Sequence, residues 1–217
     1  MANVITIRIK FNIYGNLRFL SHNETMRMFQ RAFGRAGIKL VHSQGFNPRP
    51  KLSLGLPRSV GIEAENEFLY VKTENSHEVF DADDLKRKLA EQLPAGIEVI
   101  CVEVPEAKKM ARPCQATYIL KIQSGYITTK LKDGIKQLLN SKTLNINRQI
   151  DAKGNMRIVD VRGFINEIKI KDQTITVECG ISGDGSIRPG EILELLKLSV
   201  DKLSGPIRRT SVQWKAA

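Results

Sequence analysis

The sequence predicts an α+β fold made of two tandem ferredoxin-like (β-α-β-β-α-β) domains, a basic N-terminal one over residues 1–108 and a second over 114–217. Three observations predict it. Apolar and polar residues alternate in short runs that open each half, as in half-buried strands. Segments of helical period fall between those runs in each half. A basic stretch flanked by prolines, PEAKKMARP at 105–113, has the composition of a linker. The duplication rests on pattern alone, because the two halves share negligible identity.

Element by element, ITIRIKFNI (5–13) sets Ile5, Ile7, Ile9, Phe11 and Ile13 against Thr6, Arg8, Lys10 and Asn12, which predicts a strand with one basic face. SHNE (21–24) is a capping box, with Ser21 as N-cap and Glu24 reaching back to it. The helix after it carries Met26, Phe29, Phe33 and Ala36 on one stripe and stops at Gly37. IKLVHS (38–43) is expected as the second strand, EFLYVKT (67–73) as the third, DADDLKRKLAEQL (81–93) as the second helix and IEVICVEV (97–104) as the fourth strand. The second half opens with the strand ATYILKIQS and the helix YITTKLKDGIKQLLNS. Further strands follow in NMRIVDVRGFINEIKI and QTITVECGI, then the helix RPGEILELLKLSV and the closing strand PIRRTSVQW. GISGDGSIRPGE (180–191) is glycine-rich but lacks the lysine and spacing of a P-loop. It predicts a turn into a helix with Pro189 near its first position.

Composition points to a globular protein. Apolar residues make up 41% and charged residues 26%. No apolar run approaches the roughly 20 residues of a membrane helix, and the start of the sequence shows no signal-peptide pattern. No membrane partner is therefore expected. Cys101, Cys114 and Cys179 are odd in number and widely spaced, so neither a disulfide framework nor a structural zinc site is expected, and a cytoplasmic location fits. HExxH, DxD and Asp/Glu/His clusters are missing, so neither metal nor cofactor is expected.

Charge is the sharper signal. The net charge is +11, yet residues 1–60 hold ten Lys and Arg against one acid, Glu24. Nearly all the excess is N-terminal, which points to a polyanion or an acidic surface. Arg27, Arg31 and Arg35 recur every fourth residue along one face of the first helix. Their forked guanidinium groups match phosphate oxygens, and a row about 6 Å apart follows a nucleic-acid backbone. The competing expectation is a solvated face paired with Glu63, Glu65 or Glu67. VHSQGFNPRPKLSLGLP (41–57) interrupts its own strand pattern with Gly45, Pro48, Pro50 and Gly55. The prolines hold that chain extended, so Arg49 and Lys51 project from a stiff platform. Phe46 is then either a platform for an unpaired base or a plug in the core, and Asn47 either part of the platform or a turn cap. The expected RNA-binding set is Arg18, Arg27, Arg31, Arg35, Phe46, Asn47, Arg49, Lys51 and Arg58.

Together with GNLRFLSH (15–22) and SVGIEAENE (59–67), the loop HSQGFNPRPKLSLGLP resembles an uncharacterised bacterial family described as radical-SAM-linked. The resemblance is specific in the first 65 residues. Its members stand alone or are fused behind a radical S-adenosylmethionine domain, which implies such an enzyme as partner. This chain has no CxxxCxxC cluster motif, so radical chemistry is expected to belong to the partner. Tandem ferredoxin-like domains with a glycine-rich loop also resemble, in architecture, the CRISPR repeat-processing endoribonucleases and their RNA-binding relatives.

Three functions follow as expectations. The first is an RNA-binding accessory module that presents tRNA or rRNA to a radical S-adenosylmethionine enzyme, without being an enzyme itself. The second is a metal-independent endoribonuclease in which His22 and His42 act as acid and base, histidine being the residue type suited to proton transfer near neutrality. The third is a module that only docks on protein.

Overall fold

The computed structural model describes residues 3–75, 80–106, 110–149, 151 and 153–215. The chain divides into two compact units, residues 1–112 with 214–217, and residues 113–213.

The first unit begins with β1 (Asn3–Ile13), whose alternation buries Ile7, Ile9, Phe11 and Ile13 on one face. A short 3-10 turn (Gly15–Phe19) leads into α1 (His22–Arg35). The capping box forms as expected: Ser21 Oγ accepts from the Glu24 N–H, and Glu24 Oε2 accepts from the Ser21 N–H. Then come β2 (Leu52–Leu54), β3 (Glu63–Asn75), α2 (Ala82–Ala90) and β4 (Ile97–Glu103). β1 lies antiparallel between β3 and β4, and β2 lies antiparallel on β3. Phe29, Ala32 and Phe33 of α1 and Leu85 and Leu89 of α2 close over the apolar face, with Phe11 edge-on to Phe29 at 4.9 Å between ring centres. This pairing adds to what the area buried already contributes.

The second strand is not where its sequence predicts it. IKLVHS forms only isolated bridges, Leu40 to Thr73 and His42 to Pro50, and the strand proper is Leu52–Leu54. Both segments run along β3 in a single register, Leu40 opposite Thr73 and then Leu52 opposite Val71. The edge strand is therefore one strand interrupted by a lobe. Pro48 and Pro50 explain the break, because a proline gives no N–H to a ladder.

The second unit contains β5 (Arg112–Lys121), α3 (Thr129–Asn140), β6 (Asn145–Gln149), β7 (Met156–Asp160), β8 (Ile165–Lys171), β9 (Thr174–Gly180), α4 (Pro189–Leu195) and β10 (Arg208–Lys215). Pro189 is the first residue of α4. β6 and β7 form a separate two-stranded ribbon. Arg148 on that ribbon grips Glu191 of α4 with two bonds of 2.8 Å. Burial of Leu120, Ile175, Val177, Ile187 and Ile192 marks the core of this unit.

The expected pair of tandem ferredoxin-like domains is corrected on two points. Hydrogen-bonded strands run β4-β1-β3-β10-β5-β9-β8, with β2 added on β3, so there is one eight-stranded sheet and not two separate four-stranded ones. The second half also contains the β6–β7 ribbon, which breaks the β-α-β-β-α-β order. Backbone groups at a strand edge seek partners, and sequence periodicity carries no information on which edges meet. Residues 107–109 of the expected linker lie outside the described residues, and its end, Arg112 and Pro113, already belongs to β5. No helix among the described residues is long and apolar enough to cross a membrane.

Candidate nucleic-acid interface

The lobe at residues 41–51 is held at its base by the backbone. Val41 N–H donates to Lys72 O (2.9 Å), Lys51 N–H to Val41 O (2.8 Å), and Lys72 N–H to Lys51 O (3.0 Å). One step further out, Ser43 N–H donates to Arg49 O at 2.8 Å, and Ser43 Oγ accepts from Arg49 N–H at 2.9 Å. Ser43 thus clasps the lobe shut beneath its tip. Gly45 turns the chain at φ 131°, a conformation that L side chains rarely adopt.

At that tip Phe46 is fully exposed. Of the two sequence readings, the core plug is excluded, because the ring packs on nothing. Asn47, Arg49 and Lys51 are exposed as well, and residues 41–58 contain no acid. Burial keeps most large apolar side chains out of water, so an aromatic ring left wholly in solvent on a clasped loop is the uncommon arrangement here.

The first helix supplies a second basic surface. Arg27 and Arg31 are exposed and, with Arg35, line one groove whose apolar surface includes Leu17, Leu20, Met28 and Leu93. Arg31 makes no hydrogen bond or ion pair among the described residues, so the expected alternative pairing with Glu63, Glu65 or Glu67 does not occupy it. Arg35 differs: its Nε donates to Gln92 Oε1 at 3.2 Å and its Nη2 to the Gln92 carbonyl. Hydrogen bonding from the Ser21 hydroxyl, and then from the Ser21 N–H, holds the Glu24 carboxyl below its usual range.

Two expected contacts have other work. Arg58 Nη1 donates to Arg18 O (2.6 Å) and Ile62 O (2.8 Å), and its Nη2 donates to Leu20 O (2.9 Å). That guanidinium ties the 3-10 turn to the chain before β3. Arg18 donates to Gly15 O and lies 4.3 Å over the exposed ring of Phe19.

The two histidines take up different positions. His22, at the first turn of α1, lines a small cavity with Thr25, Arg58 and Glu67. His42 sits opposite Pro50 at the base of the lobe. No hydrogen bond joins them among the described residues. Nor does any group of three or more His, Cys, Asp or Glu among those residues stand where it could hold a metal ion.

Sequence reasoning missed Ser43 and the groove residues Leu17, Leu20, Met28 and Leu93. A serine between His42 and Gln44 looks like any loop residue, and its clasp depends on a partner six positions on. The groove brings Leu93 to the first helix across the fold, which no local pattern records.

A family model described as an uncharacterized protein conserved in bacteria (DUF2344) matches residues 6–189. No curated protein matches the chain.

Proposed function

Since the chain belongs to this radical-SAM-linked bacterial family, we propose that it is an RNA-binding accessory module that presents an RNA, such as tRNA or rRNA, to a radical S-adenosylmethionine enzyme. The observation that carries the reading is Phe46, fully exposed on a lobe clasped by Ser43 and flanked by exposed Asn47, Arg49 and Lys51. An exposed ring on a stiff loop stacks on an unpaired base, whereas the neighbouring cations hold phosphates in a manner indifferent to sequence. Clasping the loop beforehand lowers the entropy lost on binding. Arg27 and Arg31 extend the positive surface along α1.

Crosslinking the chain to total bacterial RNA, with the linked peptide identified by mass spectrometry, tests the proposal. Crosslinks at residues 43–51 support it. RNA recovered only through the second unit, or none above a neutral control protein, overturns it.

A further inference from the structure

The groove beside α1 holds more than a row of positive charge. Its volume is about 560 Å³, within the ~300–1,000 Å³ of small-ligand sites. Leu17, Leu20, Met28, Leu93 and Pro94 give it an apolar surface. Arg27 and Arg31 are exposed and line it, and Glu24 stands one turn before Arg27 and two before Arg31. Arg35 serves the site by bonding to Gln92, which ties the 92–94 segment to the helix.

Such a site asks for a ligand with three properties. It needs a flat apolar body for the leucine and methionine surface, a phosphate for the arginines, and a donor for Glu24, which is ionised at neutral pH. An inorganic anion would leave the apolar surface uncovered. An acidic peptide would meet the Glu24 carboxylate. We propose that this groove binds one nucleotide as a nucleoside 5′-monophosphate unit. The base lies on the apolar surface, the phosphate pairs with Arg27 and Arg31, and an exocyclic amine of the base donates to Glu24. This deepens the RNA reading and rests on it only for the source of the nucleotide, which in RNA is a residue turned out of the strand. Bases that carry an exocyclic amine are favoured over uracil.

Titration of the full chain with AMP, UMP and adenosine, followed by NMR shifts and calorimetry, tests the proposal. AMP is expected to bind more tightly than UMP or adenosine. Arg31→Ala should weaken AMP by about tenfold and leave adenosine unchanged, since one charge-assisted bond is lost. Glu24→Gln, which preserves the capping box, should narrow the gap between AMP and UMP. AMP binding that is absent, or indifferent to Arg31→Ala, overturns the groove site, as does an acidic peptide that occupies the groove and excludes AMP. The two readings fail separately. RNA binding that survives while AMP fails leaves the lobe proposal standing. AMP binding that survives while RNA crosslinks fail leaves only the nucleotide site.

Discussion

Gly55 lies so close to Trp214 that a β-carbon on residue 55 would sit 2.6 Å from Cη2 of the indole. The indole is in turn stacked on Phe68, with ring centres 4.6 Å apart, and the Arg8 guanidinium lies 4.6 Å from the Phe68 centre. Arg8 is oriented by Glu103, whose Oε1 accepts from Nε at 2.7 Å. Glycine at position 55 is therefore a packing requirement of the first unit, where the sequence alone suggests a loop breaker. Gly55→Ala should destabilise the chain by about 1–3 kcal/mol through overpacking. Trp214 is the sole tryptophan, so its fluorescence should shift towards longer wavelength in the same variant. An unchanged melting curve and unchanged emission would contradict the packing argument.

The lobe makes a different prediction, in which binding changes and stability does not. Phe46→Ala removes a ring that packs on nothing, so the melting temperature should stay the same. Affinity for single-stranded RNA should fall by an amount worth about 1–3 kcal/mol for a lost base stack. Affinity for duplex RNA should change little. Arg49→Ala and Lys51→Ala should weaken both, each lowering the slope of log affinity against log salt by about one unit. Filter binding across a salt series, beside a thermal melt, separates these outcomes.

Arg31 and Arg58 are both basic residues of the N-terminal quarter, but their substitutions should diverge. Arg58 donates to at least three backbone carbonyls, and Arg58→Ala would leave them without that partner. The expected cost is about 2–4 kcal/mol of stability. Arg31→Ala should cost almost nothing in urea unfolding, because the side chain is solvent-exposed. Equal stability losses in the two variants would contradict the assignment of Arg58 as a structural clamp.

The cysteines offer a chemical test of burial. Cys179 is buried on β9, and desolvation pushes its thiol up to about 12. Cys101 and Cys114 are half-buried. Iodoacetamide at pH 8 should therefore spare Cys179 in the native protein and modify it once urea unfolds the chain. Rapid native labelling at Cys179, read by peptide mapping, would show that β9 opens readily.

Acid should weaken the second unit through Asp160. Its Oδ1 accepts from Leu144 N–H at 2.8 Å and Arg162 N–H at 3.0 Å. These bonds, the Leu144 one first, lower its pKa from the usual 3.8. A carboxylate with a depressed folded pKa contributes stability above the unfolded value and loses it as pH falls through the folded one. The stabilisation is thus complete near neutrality and fades below about pH 4. Asp160→Asn should flatten that part of the stability curve in urea titrations from pH 7 to pH 3. An acid limb that is unaltered would assign the loss to other carboxylates.

Much of the local architecture was legible in one dimension, for reasons particular to each element. The alternation through Ile5–Ile13 becomes β1 because two-residue periodicity leaves one face to bury. SHNE becomes the start of α1 because both halves of a capping box lie within four residues. Long-range partnership was not legible. The residues IKLVHS have strand chemistry, yet β3 takes up Leu52–Leu54 instead, since the register that serves Leu40 resumes only after the lobe. The β6 strand, NINRQ, was missed because its polar residues give no apolar alternation beyond Ile146.

The candidate site divides in the same way. The sequence by itself determined where the positive charge lies, that Arg27, Arg31 and Arg35 share a helix face, and that the proline-rich loop cannot continue a strand. These follow from covalent constraints and spacing within one element. Only the tertiary structure decided that Phe46 stands in solvent, that Ser43 clasps the lobe, that Arg58 and Arg35 are committed to carbonyls, and that Leu93 completes a groove beside Arg31. It also decided that the strands join in one sheet. The physical reason is common to all of these: exposure, hydrogen-bond partnership and edge pairing depend on residues distant in sequence, and a guanidinium looks alike in the sequence whether it faces water or a carbonyl.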